Sequence, residues 1–349
     1  MVDELKAPRR RYGTGNDALD AKVAELVSAS GHDGNSDLLA QMIASCFRLA
    51  INAADRGEMK LVNGALKEFV YAFKVFKAYR GARKVSIFGS SRANPDDPNY
   101  AAARHFAAAL AARGWMVITG AGPGIMEAGH EGAGAERSFG AAIRLPMEVE
   151  PNVVIEGDPK LINFKYFFTR KITFLKESHA FALFPGGFGT LDEAFELLTL
   201  IQTGKSDLHP VVCLEAEGGT YWQDFRRFMV DHLLARGLIS AEDLDLVFFT
   251  DSAEAAIREI EGFYRNYQSQ RYVDGTLVLR LLRLPPAAAL DEMAGRYADI
   301  IAPGSLKAVD AYPQEVAEDD ELECRRIALG FNQSNFGRLR QLINELNRY

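Results

Sequence analysis

The chain has 349 residues, of which 48% are hydrophobic and 25% charged, and its formal net charge is −7 at pH 7. This composition is typical of a folded globular protein, and the acidic balance argues against a broad basic surface for nucleic acid. The length predicts one large domain with appendages or two domains. We therefore expect no nucleic-acid partner, and an anionic ligand would have to be bound locally by loops and a few cations.

The cysteine and histidine positions and the N-terminal sequence limit which kinds of protein this chain resembles. The three cysteines, Cys46, Cys213 and Cys324, form no C-x-x-C pair, and the six histidines lack metal-ligand spacing, so neither a disulfide framework nor a metal site is predicted. The tail carries Arg9-Arg10-Arg11, interpreted as solvated, but no apolar signal segment, and no apolar run reaches about 18 residues. We expect a cytoplasmic protein with no membrane partner.

The region before residue 80 predicts helices. Residues 1 to about 35 are polar and rich in Gly, Asp and Asn, which indicates a tail. Apolar residues at helical spacing then predict one helix from Ser36, as its N-cap, to Ala54 and another from about Glu58 to Tyr79. The second helix carries an aromatic stripe suited to covering the core or a subunit interface.

Strands and helices alternate from residue 84 onward. The predicted strands are Lys84–Phe88, Trp115–Thr119, Phe139–Leu145, Ala180–Phe184, Val211–Leu214 and Leu246–Phe249. The predicted helices include Tyr100–Arg113, Lys165–Lys176 and Tyr221–Arg236. Two more are predicted, one that ends near Ile201 and one that Ser252 caps and that ends near Tyr267. Residues Pro146–Asn163 are interpreted as a polar excursion over the edge of the sheet. The alternation predicts an α/β fold with a doubly wound, Rossmann-like parallel sheet, which binds ligands at the carboxyl ends of its strands.

The stretch Pro185-Gly186-Gly187-Phe188-Gly189-Thr190 lies between a predicted strand and a predicted helix. Free amides and the positive dipole end of a helix bind anions, and glycines let a ligand approach the backbone, so this stretch predicts a phosphate loop. Thr190 and Glu193 also match the Thr-x-x-Glu of a capping box, which would make both residues structural. The start of a helix favours the ionised form of Glu193.

Two further loops end neighbouring strands. Gly89-Ser90-Ser91-Arg92 follows the first strand, and Gly120-Ala121-Gly122-Pro123-Gly124-Ile125-Met126-Glu127 follows the second. The second loop lacks the third glycine of the G-x-G-x-x-G fingerprint, so a dinucleotide-dependent dehydrogenase is weakly supported. Glu127 either reaches a ribose or base or stabilises the helix dipole. Because these loops and the phosphate loop all follow strands of one sheet, we expect a single site.

A family signature connects these motifs. Pro-Gly-Gly-x-Gly-Thr-x-x-Glu stands at Pro185 to Glu193 and follows the pair Arg170-Lys171, while Gly-Ala-Gly-Pro-Gly-x-Met-Glu-Ala stands at Gly120 to Ala128. This arrangement resembles the Lonely Guy family, the cytokinin riboside 5′-monophosphate phosphoribohydrolases, many of which carry the label lysine decarboxylase. The resemblance covers about Lys84 to Tyr267.

The resemblance implies a nucleotide hydrolase. Such an enzyme would break the N-glycosidic bond of a purine-type nucleoside 5′-monophosphate, AMP or cytokinin-like, to free base and ribose 5-phosphate, without a cofactor and as a homo-oligomer, a dimer or higher. Arg170 and Glu193 would be the catalytic residues, and the substrate-binding residues would be Gly89, Ser90, Gly120, Gly122, Gly124, Met126, Glu127, Lys171, Gly186, Gly187, Phe188, Gly189 and Thr190. Two alternatives stay open: a non-catalytic nucleotide sensor or carrier, and a pyridoxal-dependent decarboxylase, for which Lys171 has no recognisable cofactor anchor.

The pattern changes after Gln268. The sequence predicts a strand, helix, strand, strand, helix order, with elements at Thr276–Leu282, Ala287–Ile301, Leu306–Tyr312, Arg325–Phe331 and Phe336–Arg348. The acidic stretch Glu315–Glu321 is interpreted as a solvated loop, and this region shows no phosphate loop or catalytic pair. The predicted domains are residues 1–80, 81–270 and 271–349, the last a small α/β module for assembly or regulation.

Overall fold

A computed structural model describes residues 12–31, 34–145 and 150–349 of the chain. The chain divides into two compact units, one that ends at Glu68 and one that begins at Phe69. None of the described helices is long and apolar enough to cross a membrane. Arg9-Arg10-Arg11, interpreted above as solvated, lies outside the described residues.

The first unit holds helices α1 (Asp17–Ala29) and α2 (Ser36–Ile51) and the start of α3 (Arg56–Lys77). Helix α1 corrects the predicted tail: the Asn16 side chain accepts hydrogen bonds from two amides of its first turn, and Val23 and Val27 are buried one turn apart. The predicted Ser36 cap is also wrong, because Asn35 occupies the N-cap position and Ser36 is the first residue of α2.

The second unit is built on a seven-stranded parallel sheet in the order β4-β3-β2-β1-β5-β6-β7. The strands are β1 (Lys84–Phe88), β2 (Met116–Thr119), β3 (Ser138–Ile143), β4 (Leu161–Phe164), β5 (Ala180–Leu183), β6 (Val211–Leu214) and β7 (Phe248–Thr250). The helices that connect and flank them are α4 (Pro98–Ala112), α5 (Ile125–Ala133), α6 (Phe167–Glu177), α7 (Phe188–Gln202), α8 (Tyr221–Phe228) and α9 (Ala253–Phe263). The predicted doubly wound α/β fold is therefore confirmed.

The order of the strands places the ligand-binding edge. From β1 the chain moves outward through β2, β3 and β4, then returns to the other side of β1 as β5. The loops that leave β1 and β5 therefore diverge, which opens a crevice at the carboxyl ends of the two strands. Strand β4 corrects the predicted polar excursion, because residues 161–164 pair with β3 as the edge of the sheet.

A second sheet follows in the same unit. Its four antiparallel strands have the order β10-β11-β9-β8, and the elements are β8 (Tyr267–Val273), β9 (Thr276–Leu281), α10 (Ala287–Arg296), β10 (Lys307–Val309), α11 (Pro313–Glu318), β11 (Arg325–Leu329) and α12 (Phe336–Leu346). Strand β8 and helix α11 were not predicted, so the predicted element order is wrong. Leu342 and Leu279 belong to the same hydrophobic core as Val85 of β1, which joins both sheets in one interior.

The acidic segment of this region is not the solvated loop that its composition predicts. Glu315 lies on α11 and is completely buried. Its Oε1 lies 2.8 Å from Nη2 of Arg280, and its Oε2 lies 3.1 Å from Nε of Arg326. Because the two arginines are themselves buried on β9 and β11, they need a buried anion as partner.

Candidate active site

A cleft of about 760 Å³ opens at the carboxyl ends of β1, β2 and β5. Its lining residues are Phe88, Gly89, Ser90, Ser91, Arg92, Gly120, Met126, Arg170, Phe174, Gly186, Gly187, Phe188, Gly189, Thr190, Leu191 and Glu193. Three loops and one helix that are distant in sequence thus meet at one edge of the sheet, as the strand order requires.

The phosphate loop turns directly into helix α7. Gly187 is the residue before the helix and no side chain caps it, so the first amides of α7 have no side-chain cap and no acceptor within the helix. Thr190 lies inside the first turn, where its amide donates to the carbonyl of Gly187 at 3.1 Å. The capping-box interpretation of Thr190 and Glu193 is therefore wrong, and both side chains remain available to the cleft.

Two contacts fix the shape of this loop. The hydroxyl of Tyr221 donates to the carbonyl oxygen of Gly186 at 2.7 Å, and the amide of Ser90 donates to the carbonyl of Pro185 at 3.0 Å. A Cβ atom at Gly186 would lie 2.1 Å from Oγ1 of Thr190, which no side chain tolerates. Glycine is thus required at 186 for packing, whereas a Cβ at Gly187 or Gly189 would meet no atom within 4 Å.

Arg170 and Glu193 face each other across the floor of the cleft. Nη2 of Arg170 lies 3.6 Å from Oε1 of Glu193, and the two side chains are only 13% and 9% exposed. This separation is too long for a hydrogen bond. The Nε of Arg170 has no hydrogen-bond partner among the described residues, and the guanidinium lies 5.1 Å from the ring centre of Phe167. An arginine with unused donors beside a cleft is suited to bind an anion.

Burial controls the protonation of Glu193. Loss of solvent raises the pKa of its carboxyl to about 7, although the charges of Lys171 and Arg170 act in the opposite direction. The expectation that the helix start keeps Glu193 ionised is therefore wrong, because desolvation exceeds the effect of the dipole. A carboxyl group with a pKa near 7 is half protonated at neutral pH, which suits proton transfer.

Lys171 points away from the cleft. Its Nζ lies 2.8 Å from Oδ2 of Asp192 and 2.7 Å from Oε2 of Glu196. The lysine lines an adjoining, mostly apolar pocket between α6 and α7, which shares Glu193 with the cleft. Both of its ion-pair partners lie on α7, so Lys171 ties the helix that carries Arg170 to the helix that carries Glu193.

The loop from Gly120 to Glu127 contributes to the cleft only in part. Gly120 and Met126 line it, whereas Gly122, Gly124 and Glu127 do not. Gly124 has a φ of 72°, and a Cβ there would lie 2.4 Å from the carbonyl oxygen of Ser90, so its requirement is structural. Burial is the main cause of the raised pKa of Tyr100, and the negative charge of half-buried Glu127 adds to it, which places Glu127 beside α4.

Sequence reasoning missed five residues of the cleft, namely Phe88, Ser91, Arg92, Phe174 and Leu191. Arg92 matters most because it brings a second cation to the site. Its side chain is exposed and makes no ion pair with any residue that the structure describes. The available signal was its position three residues after Gly89, at the end of the central strand.

Comparison with known proteins agrees with this geometry. The family model described as "Possible lysine decarboxylase" matches residues 122–260. The cytokinin riboside 5′-monophosphate phosphoribohydrolase of Mycobacterium tuberculosis is 30% identical over 152 residues, which cover 43% of this chain and 79% of that protein. LOG1 of Arabidopsis thaliana, a protein of the same name, is 32% identical over 99 residues, 28% of this chain and 45% of that protein. The chain thus spans about half the length of several relatives it matches.

Two solved structures are similar to about half of the chain. The molybdenum cofactor carrier protein of Chlamydomonas reinhardtii is 18% identical, with a TM-score of 0.36, and the match covers 52% of this chain and 96% of that protein. The molybdenum cofactor binding protein of Rippkaea orientalis is 20% identical, with a TM-score of 0.35 and nearly the same coverage. Likenesses of this size carry no inference about a ligand. The relative from Mycobacterium tuberculosis, matched over most of its length, and the signature assembled in the cleft establish that the chain belongs to the Lonely Guy family of cytokinin riboside 5′-monophosphate phosphoribohydrolases.

Proposed function

We propose that the protein hydrolyses the N-glycosidic bond of a purine-type nucleoside 5′-monophosphate, AMP or a cytokinin-like nucleotide, to free base and ribose 5-phosphate. The proposal rests mainly on buried Glu193, whose pKa is about 7, and on the guanidinium of Arg170 opposite it. The Nε of Arg170 has no hydrogen-bond partner among the described residues. Both groups lie in one cleft with a phosphate loop. The names of the relatives support the reaction class.

The phosphate is bound at the start of α7. The unpaired amides at Gly187, Phe188 and Gly189 and the positive end of the helix dipole attract it. Arg92 supplies the compensating charge from the opposite wall, because it lines the same cleft without an ion-pair partner. A nucleoside without phosphate leaves these donors unsatisfied, so it binds and reacts poorly.

The chemistry takes place between Arg170 and Glu193. A water oxygen forms a bond to C1′ of the ribose while the bond from C1′ to the base nitrogen breaks, and the electron pair leaves with the base. Glu193 accepts a proton from that water, the leaving base takes a proton from solvent, and Glu193 later returns its proton to solvent. Arg170 binds ribose or phosphate oxygens and stabilises the charge that develops there. The lining residues include no cysteine or histidine, so the proposed proton acceptor is the carboxylate.

The regions outside the cleft are assigned no catalytic group. Every residue that lines the cleft lies between Phe88 and Glu193, so residues 271–349 act through stability, assembly or regulation. We also propose a homo-oligomer, because exposed apolar side chains cluster on α6, with Phe167, Phe168 and Ile172 each between 44% and 50% exposed. The mass of the protein in solution tests this assembly.

A panel of nucleoside monophosphates tests the proposed substrate class. The purified protein is incubated with AMP, GMP, IMP, CMP and UMP, and free base is measured by chromatography. We expect base release from one or more purine nucleotides and much slower release from the pyrimidine nucleotides. Binding of AMP without release of adenine would instead support the nucleotide sensor or carrier.

A further inference from the structure

A completely buried histidine lies behind the loop from Gly120 to Gly124. His130 is on α5, and both of its ring nitrogens contact polar atoms. Its Nδ1 lies 3.2 Å from Oδ1 of Asn152, and its Nε2 lies 3.0 Å from both Oγ1 of Thr119 and the carbonyl oxygen of Phe139. None of these four residues lines the cleft, so the cluster is separate from the catalytic groups.

The partners of His130 define where its proton sits. The Nδ2 of Asn152 donates to the carbonyl oxygen of Gly122 at 3.0 Å, which leaves Oδ1 of Asn152 facing the imidazole. An oxygen there only accepts, so this contact is a hydrogen bond when Nδ1 carries the hydrogen of the neutral ring. In that tautomer Nε2 has no hydrogen to donate, so its contact with the carbonyl oxygen of Phe139 is not a hydrogen bond. Oγ1 of Thr119 accepts from the amide of Ala121 at 3.0 Å, which leaves the hydroxyl hydrogen for Nε2. Burial lowers the pKa of His130, which favours the neutral ring.

These bonds form a closed and directional ring. It runs from the Ala121 amide through Thr119 to His130, then through Asn152 to the carbonyl oxygen of Gly122. The Asn152 amide also donates to the carbonyl of Ala121 at 2.8 Å. The ring therefore begins and ends on one loop and holds both backbone groups of Ala121.

The held residue has a conformation that needs support. Ala121 has a φ of 63° although it is not a glycine, and side-chain sterics disfavour that region for residues with a Cβ. Its neighbour Gly120 lines the cleft, and a Cβ at Gly120 would lie 2.8 Å from Sδ of Met126 and 3.9 Å from Nη1 of Arg170. Gly120 therefore lies close to both side chains, so a change of backbone conformation at Ala121 would alter this wall of the cleft.

We propose that His130 is a positioning residue that sets the Gly120–Gly124 loop for nucleotide binding through this ring of hydrogen bonds to Thr119 and Asn152. The inference rests on the proposed function for its consequence, because Gly120 of this loop lines the cleft in which the nucleotide is proposed to bind. The family comparisons give no role to His130. The ring fixes the loop before the ligand arrives, so its loss weakens binding rather than the chemical step.

The state of the imidazole is tested on the unaltered protein. Two-bond nitrogen–proton NMR spectra of protein labelled at histidine distinguish the two neutral tautomers and the imidazolium, with the signal assigned by comparison with His130→Asn. We expect the Nδ1-protonated neutral form at pH 7, with no titration between pH 5 and pH 8. The Nε2-protonated form or an imidazolium at pH 7 would overturn the ring.

The positioning role is tested with two matched hydroxyl deletions. Thr119→Val removes the link between Ala121 and His130, whereas Ser138→Ala removes a buried hydroxyl that donates to the carbonyl of Gly134 at 2.8 Å outside the ring. We expect the KM for AMP to rise about tenfold in Thr119→Val with kcat within about twofold, the size of one lost hydrogen bond. Ser138→Ala should change neither constant.

Two outcomes would contradict the role. One is an unchanged KM in folded Thr119→Val, and the other is an equal loss in Ser138→Ala, which would indicate general damage. AMP affinity measured by calorimetry gives the same comparison without turnover. An inactive wild-type protein would thus refute the proposed hydrolysis, while the NMR and binding results would still decide the role of His130.

Discussion

Two clusters of arginine and glutamate in this chain have opposite properties. In the second sheet, Glu315 is held at 2.8 Å by Arg280 and at 3.1 Å by Arg326. Burial acts to raise its pKa, but hydrogen bonds from the Tyr312 amide and the two arginines outweigh burial and lower it. In the cleft, burial raises the pKa of Glu193 to about 7, and the charges of Lys171 and of Arg170, which lies 3.6 Å away, do not offset it.

Burial alone therefore does not determine whether a buried glutamate beside arginine has a structural or a catalytic role. Both carboxylate oxygens of Glu315 accept hydrogen bonds from within the cluster, so the carboxylate is not available to a ligand. Glu193 is also buried but is left without a strong partner, which is costly for stability and useful for proton transfer. The same residue types therefore stabilise one site and are available for chemistry in the other.

The largest expected effect is on turnover. Glu193→Gln keeps the size of the side chain but removes the proton acceptor, so we expect the rate of AMP hydrolysis to fall by roughly two to four orders of magnitude. Folding should be retained, because no hydrogen bond from Glu193 caps α7. Circular dichroism and thermal melting check the fold. A folded variant that keeps the rate would exclude Glu193 from the chemistry.

The equivalent change in the second sheet should act on stability instead. Glu315→Gln leaves buried Arg326 without its ion-pair partner and Arg280 with only the more exposed Asp320, which we expect to cost about 3 kcal/mol or more of unfolding free energy. Urea denaturation measures the loss. The folded fraction should hydrolyse AMP at the normal rate, and a variant that is stable but inactive would show that this cluster serves the active site.

Arg92 should have an intermediate effect. Loss of one charge-assisted hydrogen bond to phosphate costs about 1.5–3 kcal/mol, so Arg92→Ala should raise the KM for AMP by roughly tenfold or more. Arg92→Lys, which keeps the charge, is the matched control and should lose less. Adenosine has no phosphate, so its slow reaction should not change. An equal loss on AMP and adenosine would remove Arg92 from phosphate binding.

The smallest expected effect for a single step in conditions is the change in stability per pH unit. The pKa of Glu193 is raised in the fold from an ordinary 4.5 to about 7, so the folded protein binds the proton more tightly than the unfolded chain. Its contribution to stability should therefore fall as the pH rises from 4.5 to 7, by up to about 1.4 kcal/mol per pH unit, and level off above 7. Glu193→Gln should remove this slope.

Glu315 should show the opposite sign. Its pKa is lowered in the fold, so its contribution is present above pH 4.5 and lost as the pH falls through the folded pKa. Unfolding free energies of the wild type and both glutamine variants, measured from pH 2 to pH 8, give the two difference curves. Curves with the same slope would contradict the contrast between the two sites.

Much of the fold could be predicted because the sequence repeats one physical pattern. Strands β1 and β6 have the predicted bounds, since short apolar runs followed by glycine or polar residues leave little choice. Strand β4 was missed because residues 161–164 are few and include Asn163, and only pairing with β3 reveals them. The buried Glu315 was missed because an acidic composition indicates solvent until the partner arginines are known.

The candidate site was predictable where backbone chemistry dictates the residues. Glycine loops at strand ends indicated Gly186 and Gly120, and both line the cleft. Side-chain directions were not predictable: Lys171 is adjacent to Arg170 in sequence but pairs with Asp192 and Glu196. The raised pKa of Glu193 was not predictable either, because the helix dipole can be inferred from the sequence but the extent of burial cannot.

The central claim is that Glu193 is kept available for hydrolysis of a phosphorylated nucleoside. Product analysis tests it most directly: adenine and ribose 5-phosphate are quantified over time for the wild-type protein with AMP, and adenine with adenosine. We expect equal amounts of adenine and ribose 5-phosphate from AMP and a far slower release of adenine from adenosine. Equal rates on AMP and adenosine, or AMP that binds without releasing adenine, would contradict it.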